Sequence, residues 1–344
     1  MRIALDATYR VDAQPSGIAV YSREILSGLA AGHPNDQFVD CYRVKQWRQT
    51  SRPELRNVSR RPLLPLVATF RADVFHALNQ RVDRRPAKRV VSTFHDLFVM
   101  TGEYSSSEFR KRFSEQARRA AAHSDFIIAV SEFTAGQVEE LLGVDRSLIR
   151  VIYHGVRKRV GFEGPHSGRR KKIVLFVGAL QLRKNVSRLV KAFEHLAADW
   201  RLVLAGAPTG YGAEQILDDV ARSPCRDRIE VAGYLPQREL DQLYACASIF
   251  AFPSLDEGFG MPVLDAMAAG IPVVTSNRSA LKEIADDAAL LVDPLRFDEL
   301  GWALERLAED DRLRSELVQR GLARSAMFSW DRAVEQTYSV YASF

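Results

Sequence analysis

The chain carries its chemistry-bearing residues where an apolar run gives way to a loop. The most informative segment is Pro253-Ser254-Leu255-Asp256-Glu257-Gly258-Phe259-Gly260-Met261-Pro262, leading into a stretch with Asp265. Pro262 suits a first helical turn, where its missing N–H is not needed. Gly258 and Gly260 let backbone amides come close to a ligand, and with Ser254, Phe259 and Met261 they frame a helix start. Such amides and the positive end of the helix form an anion site suited to a phosphate. Glu257 and Asp265, with seven residues between them, place one carboxylate on the loop and one two turns into the helix. A carboxylate accepts two hydroxyl hydrogen bonds at once, which is how sugars and riboses are held. Taken alone the Glu-Gly-Phe-Gly run is a turn before a solvated acid; its strand–loop–helix setting points to function.

A second loop, Phe176-Val177-Gly178-Ala179-Leu180-Gln181-Leu182-Arg183-Lys184-Asn185, again follows an apolar run. Arg183 and Lys184 could stabilise a leaving group that gains negative charge, such as a diphosphate, and two cations can replace a divalent metal there. No Asp-x-Asp pair sits on a strand end or loop, and the acidic run Glu309–Asp311 reads as helical, so no metal is expected. A third segment, Ser92-Thr93-Phe94-His95-Asp96-Leu97, brings His95 to a strand end, where it could bond a hydroxyl or move a proton. A histidine bonded to local backbone is the competing reading, and His76 has a weaker case. The loop Asp12–Tyr21 offers Gly17 at a helix start, and Gly233-Tyr234-Leu235-Pro236 could offer backbone groups to a base edge.

Short apolar runs that alternate with helical patterns must position these loops. Strands are expected at Arg2–Leu5, Asp73–His76, Arg89–Thr93 and Phe126–Val130, with helices at Gly17–Leu29 and Ser107–His123. Ser131 caps a further helix that Gly143 closes. Residues 158–171 read as a linker rich in glycine and basic residues. The alternation then restarts with strands at Ile173–Val177, Arg201–Ala205, Ile229–Ala232, Ser248–Phe252 and Pro272–Thr275. Helices are expected at Val186–Leu196, Ala213–Ala221, Glu239–Cys246, Met261–Ala269 and Ser279–Ile284. The expected architecture is α/β, with two doubly wound parallel-sheet domains facing a cleft: 1–157, and 172–330. A final helix within 331–344 could pack back on the first domain.

Length supports two domains, since 344 residues exceed the size at which one core stops growing. The first apolar run is broken at Asp6, which argues against a signal peptide. No run of about 18 apolar residues exists, so no membrane span is expected. Cys41, Cys225 and Cys246 lack metal-ligand spacing and read as reduced thiols of a cytoplasmic protein. Charge is uneven: residues 1–157 hold 24 Lys and Arg against 17 Asp and Glu, the remainder 24 against 26. The clusters Arg81, Arg84, Arg85, Lys88, Arg89 and Arg110, Lys111, Arg112 could meet an anionic membrane surface or an anionic acceptor, or simply face solvent. No recognition helix is evident and aromatics do not interleave with the arginines, which disfavours nucleic acid. The first strand lacks a G-x-G-x-x-G turn, which disfavours a nicotinamide dehydrogenase.

The order of these segments resembles the retaining family-4 glycosyltransferases (glycosyl transferases group 1), whose two Rossmann-like domains form the GT-B fold. The likeness runs through SGIAVY, FHDL, AVSEFT, RVIYHGV, VGALQLRKN and AGYLPQRELDQLYACASIFAFPSLDEGFGMPVLDAMAAGIPVVTSN. It implies a hexosyltransferase that binds a nucleotide-sugar donor in its C-terminal domain and a glycan or lipid-linked acceptor, with no metal and no other cofactor. By that resemblance Glu257–Met261 touch the donor hexose and phosphates, Asp265 the ribose, Lys184 the diphosphate, His95 the transferred sugar and Tyr234–Leu235 the base. The Arg183-Lys184-Asn185 triplet is similar to a subgroup that leans toward GDP-mannose and polysaccharide or lipid-linked oligosaccharide assembly. Asp265 stands where glutamate is usual and Ala179 where many relatives carry arginine, a place Arg183 could fill. The resemblance implies retention of anomeric configuration, and the protein is expected to be cytoplasmic and could lie on the inner face of the membrane. A nucleotide-sugar epimerase or phosphorylase on the same fold, or a non-catalytic nucleotide-sugar-binding protein, are the alternatives.

Overall fold

The computed structural model describes residues 1–11, 16–50, 55–63, 71–156 and 170–344. They form two compact units, Met1–Gly155 with Ser329–Phe344, and Val156–Phe328. The linker expected at 158–171 lies outside the described residues up to position 169, and Lys171 already belongs to a strand. Ser329 and Trp330 go with the first unit rather than the second.

The first unit holds β1 (Arg2–Asp6), β2 (Gln37–Arg43), β3 (Val58–Leu63), β4 (Val74–Ala77), β5 (Arg89–Phe94), β6 (Phe126–Ala129) and β7 (Ile149–Val151). They form one sheet in the order β3-β2-β1-β4-β5-β6-β7, parallel throughout. The second unit holds β8 (Lys171–Val177), β9 (Arg201–Ala205), β10 (Ile229–Gly233), β11 (Ala247–Phe252), β12 (Val273–Ser276) and β13 (Leu290–Val292). Its order is β10-β9-β8-β11-β12-β13, again parallel. Each sheet grows outward in both directions from its first strand. This puts a topological switch point between β1 and β4 and another between β8 and β11, where such folds bind ligands.

Central strands are apolar on both faces because helices cover both: Ile3, Ala4 and Leu5 of β1 and Val174, Leu175 and Phe176 of β8 are fully buried. Local signals set the helix starts. Ser16 and Ser131 accept from the amides of Ala19 and Thr134, and Gly143 ends the Glu132–Leu142 helix with φ of 68°. In the first unit the Gly17–Gly32 helix packs on Trp330–Ala342, which buries Trp330, Val334 and Tyr341. The run Glu309–Asp311 is not inside one helix. Glu309 ends the Phe297–Glu309 helix and Asp310 caps Asp311–Ala326 by accepting from Leu313 N. Among the described residues no helix is long and apolar enough to cross a membrane.

Candidate active site

The second unit brings its two chemistry-bearing loops together at the carboxyl ends of β8 and β11, its switch point. After β8 the chain makes a tight turn, Leu182–Lys184, before the Val186–Phe193 helix; after β11 it runs through Pro253–Gly260 into the Met261–Ala268 helix. Arg183 O accepts from Leu255 N at 2.7 Å, and Arg183 Nη1 donates to Asp256 O at 3.0 Å, so the loops are laced by backbone. Glu257 Oε1 lies 2.5 Å from Lys184 Nζ and 2.8 Å from Arg183 Nη1. All three side chains are about nine-tenths buried, at 11 to 12% exposure. Burial alone would raise the Glu257 carboxyl, but the Arg183 and Lys184 charges overcome it and hold it down at about 2. Lys184 Nζ also sits 4.7 Å from the centre of the Phe252 ring.

Two features fix this arrangement. Asn185, in a left-handed conformation with φ of 59°, donates through Nδ2 to Pro253 O at 3.0 Å and Pro294 O at 2.6 Å. It therefore clamps the basic turn to the loop after β11. The Glu257 backbone is held from the other side: its N–H donates to Ser279 Oγ and its carbonyl accepts from Ala280 N, both at 3.2 Å. Ser279 itself has φ of 53°, an uncommon conformation for a non-glycine residue.

Gly260 caps the Met261–Ala268 helix with φ of 109°, and a Cβ there would meet Leu281 Cδ2 at 2.6 Å. Only glycine fits comfortably. Phe259 is buried edge-on against Phe328, with ring centres 6.0 Å apart, and Ser254 is fully buried. Asp265 is half-buried and, as fifth residue of its helix, lies little more than one turn in rather than two. Tyr234 and Leu235 follow β10 directly, Tyr234 with 41% exposure.

The first unit places the other candidates differently. His95 follows β5 but is buried, and its Nε2–H donates to Leu78 O at 2.9 Å. That is the local backbone bond of the competing reading. It fixes the tautomer and leaves Nδ1 as the acceptor atom of the ring. The ring meets Tyr21 edge-on at 4.8 Å and stacks on His154 at 5.4 Å. Burial holds His95 down at about 4. His76 is structural: Nδ1 is hydrogen-bonded to the Tyr341 hydroxyl at 2.5 Å and Nε2 to Thr93 Oγ1 at 2.8 Å, which in turn pairs with Tyr21 Oη at 2.9 Å. Gly17 begins its helix and is exposed, while residues 12–15 of its loop lie outside the described residues. Sequence reasoning gave no role to His154, Asn185 or Ser279. It also missed Gly206 after β9, where a Cβ would stand 1.9 Å from Gly178 O and bar the close approach of the loop that leads to Lys184.

Comparisons with known proteins bear on the family and the fold. Residues 162–324 match the family described as glycosyl transferases group 1, and residues 17–159 match glycosyltransferase family 4. The O-antigen chain mannosyltransferase B of Escherichia coli is 29% identical over 290 residues, covering 78% of this chain and 74% of that protein. A D-inositol 3-phosphate glycosyltransferase of Acidothermus cellulolyticus is 28% identical, covering 94% and 85%. Among solved structures, a sucrose-phosphate synthase from Thermosynechococcus elongatus is similar with a TM-score of 0.79 over 100% of this chain and 98% of that one. At 19% identity that likeness speaks for the fold alone.

Proposed function

The chain belongs to the group 1, family 4 glycosyltransferases, and from that premise we propose a retaining, metal-independent hexosyl transfer with GDP-mannose as donor. The observation that carries the proposal is the pair of buried cations, Arg183 and Lys184, set at the switch point of the second sheet beside a glycine-capped helix. A nucleoside diphosphate gains negative charge on its bridging oxygen as the anomeric carbon–oxygen bond breaks. Fixed cations and helix-start amides stabilise that charge most in the transition state, which is where binding accelerates reaction. Two protein cations supply what a divalent ion would.

In this proposal Arg183, Lys184 and the Gly258–Met261 amides take the diphosphate, Glu257 orients sugar hydroxyls, Asp265 accepts from the ribose, and Tyr234–Leu235 meet the base. Being a methylene shorter than glutamate, Asp265 makes a longer or water-bridged ribose contact. The acceptor hydroxyl attacks from the face that the diphosphate leaves, and a phosphate oxygen takes its proton, so configuration is retained. Glu257 is assigned to orienting sugar hydroxyls in this reading and not to covalent attack; a glycosyl ester trapped on it would overturn that assignment. His95 Nδ1 is assigned to a substrate hydroxyl.

The name of the Escherichia coli relative favours mannose, and a glycan or lipid-linked acceptor in polysaccharide assembly fits that name. The Ser107–His123 helix supports peripheral contact with the inner face of an anionic membrane. It carries Arg110, Lys111, Arg112, Arg118 and Arg119, and Arg112 lies over the exposed Phe109.

The test is a thermal-shift and turnover panel of GDP-, UDP- and dTDP-sugars in excess chelator. Stabilisation and turnover by GDP-mannose are expected. Activity that vanishes with chelator and returns with manganese would refute the metal-independent chemistry.

A further inference from the structure

One carboxylate oxygen of the second unit serves two cations. Glu257 Oε1 accepts from Lys184 Nζ and pairs with Arg183 Nη1, within an 11 to 12% exposed cluster whose summed charge is a single positive unit. If these cations hold a diphosphate, as the preceding reading has it, the diphosphate must compete with Glu257 for them. We propose that Glu257 is an internal stand-in for the diphosphate, ceding Arg183 and Lys184 to phosphate oxygens readily only when the donor's sugar hydroxyls arrive to occupy the released carboxylate. The residue would thus determine preference for intact donor over spent nucleoside diphosphate.

Two observations lead there. Hydrogen bonds to Ser279 and from Ala280 hold the Glu257 backbone by both of its polar groups, so its buried carboxylate can leave the cations only by turning its own side chain. A buried carboxylate stripped of its cations also keeps the full cost of desolvation. A bare diphosphate would leave Glu257 in that condition, next to a like charge. A donor sugar brings hydroxyl groups that can donate to the carboxylate and restore its hydrogen bonds. The same balance favours release of the nucleotide once the sugar has left. No bond is made or broken in this exchange, and only hydrogen-bond partners change.

Calorimetric titration of wild type and Glu257→Gln with GDP and GDP-mannose, with UDP and UDP-glucose alongside, tests the proposal. Removing the charge while keeping the shape should tighten GDP binding by on the order of tenfold. GDP-mannose should gain less, so the preference for the donor shrinks. Glu257→Asp, whose shortened carboxylate reaches the cations poorly, should fall between, and stands in if the glutamine variant does not fold. Equal or weaker GDP binding by a folded variant overturns the proposal yet leaves the donor-site reading intact, because the wild type still binds. If the wild type binds no nucleotide, both fall.

Discussion

Lowering the pH from 7 to 5 protonates the histidines of an unfolded chain, whose ordinary value is 6.5, but not those buried in the first unit. Burial holds His76 down at about 3 and His95 at about 4, and pushes His154 well below the ordinary value. The unfolded chain therefore binds the extra protons. Stability from this source is complete above about pH 6.5 and drains away as the pH falls toward the folded-state values. At pH 5, about 1.5 units below the unfolded value, His76 and His95 each withdraw about 2 kcal/mol, at about 1.36 kcal/mol per unit. Two buried carboxylates oppose them. Burial raises Asp6, and lifts Asp40 to about 6 despite Arg10, so the folded unit takes up their protons first. Asp40 returns about 1 kcal/mol between pH 6 and 5. The loss from these three groups together, about 3 kcal/mol before His154 adds to it and Asp6 offsets it, is a large part of a typical stability of about 5–15 kcal/mol. Glu257 has the same sign in a lower window: held at about 2, its contribution is full above its ordinary 4.5 and is lost only as the pH falls toward about 2. Hydrogen exchange read by mass spectrometry, after incubation at stepped pH, separates the units. Peptides from β4, β5 and the Trp330–Ala342 helix should lose protection near pH 5, while those from β8 and β11 keep theirs. Simultaneous loss in both units, or a first unit that stays protected to pH 4, would refute the reasoning.

Three further outcomes are expected. Lys184→Ala should lower kcat by about 10²–10³, the cost of one lost charge-stabilising donor, with KM little changed in steady-state kinetics; a rise in KM alone would deny it a transition-state role. Gly206→Ala forces a Cβ to within 1.9 Å of Gly178 O and 2.9 Å of Ala179 N, both backbone atoms that cannot swing aside. It should cost about 1–3 kcal/mol or more in urea unfolding and slow turnover as well. Tyr341→Phe takes the hydroxyl from buried His76 Nδ1, and should destabilise by about 1–3 kcal/mol; an unchanged unfolding midpoint would show that the bond carries no weight.

What the sequence disclosed tracks how local the signal is. Strands such as β8 and β11 announce themselves because burial on both faces leaves unbroken apolar runs. The Ser131 cap and Gly143 stop are written in adjacent residues. By contrast β2 buries Asp40 in its middle, and β3 carries Arg60, Arg61 and Pro62, tolerable because it is an edge strand. Both look like loop in one dimension, and β7 and β13, at three residues each, are too short to show a period. In the site, the basic turn and the glycine loop were legible as separate anion-binding pieces. Their union through Glu257 was not, because it depends on a contact 73 residues apart. His95 illustrates the converse: its place at a strand end was readable, but its bond to Leu78 depends on how tightly β4 and β5 pack.

The first unit is assembled from both ends of the described chain, residues 1–155 and 329–344. A nascent polypeptide emerging from the ribosome displays β1 through β7 long before Trp330 and Tyr341, the side chains that seal them, have been made. The contiguous second unit, Val156–Phe328, can therefore complete its own burial first, while the earlier-synthesised part waits for its closing helix. A stop codon near position 328 would spare the later-made sheet and leave the earlier one unsealed.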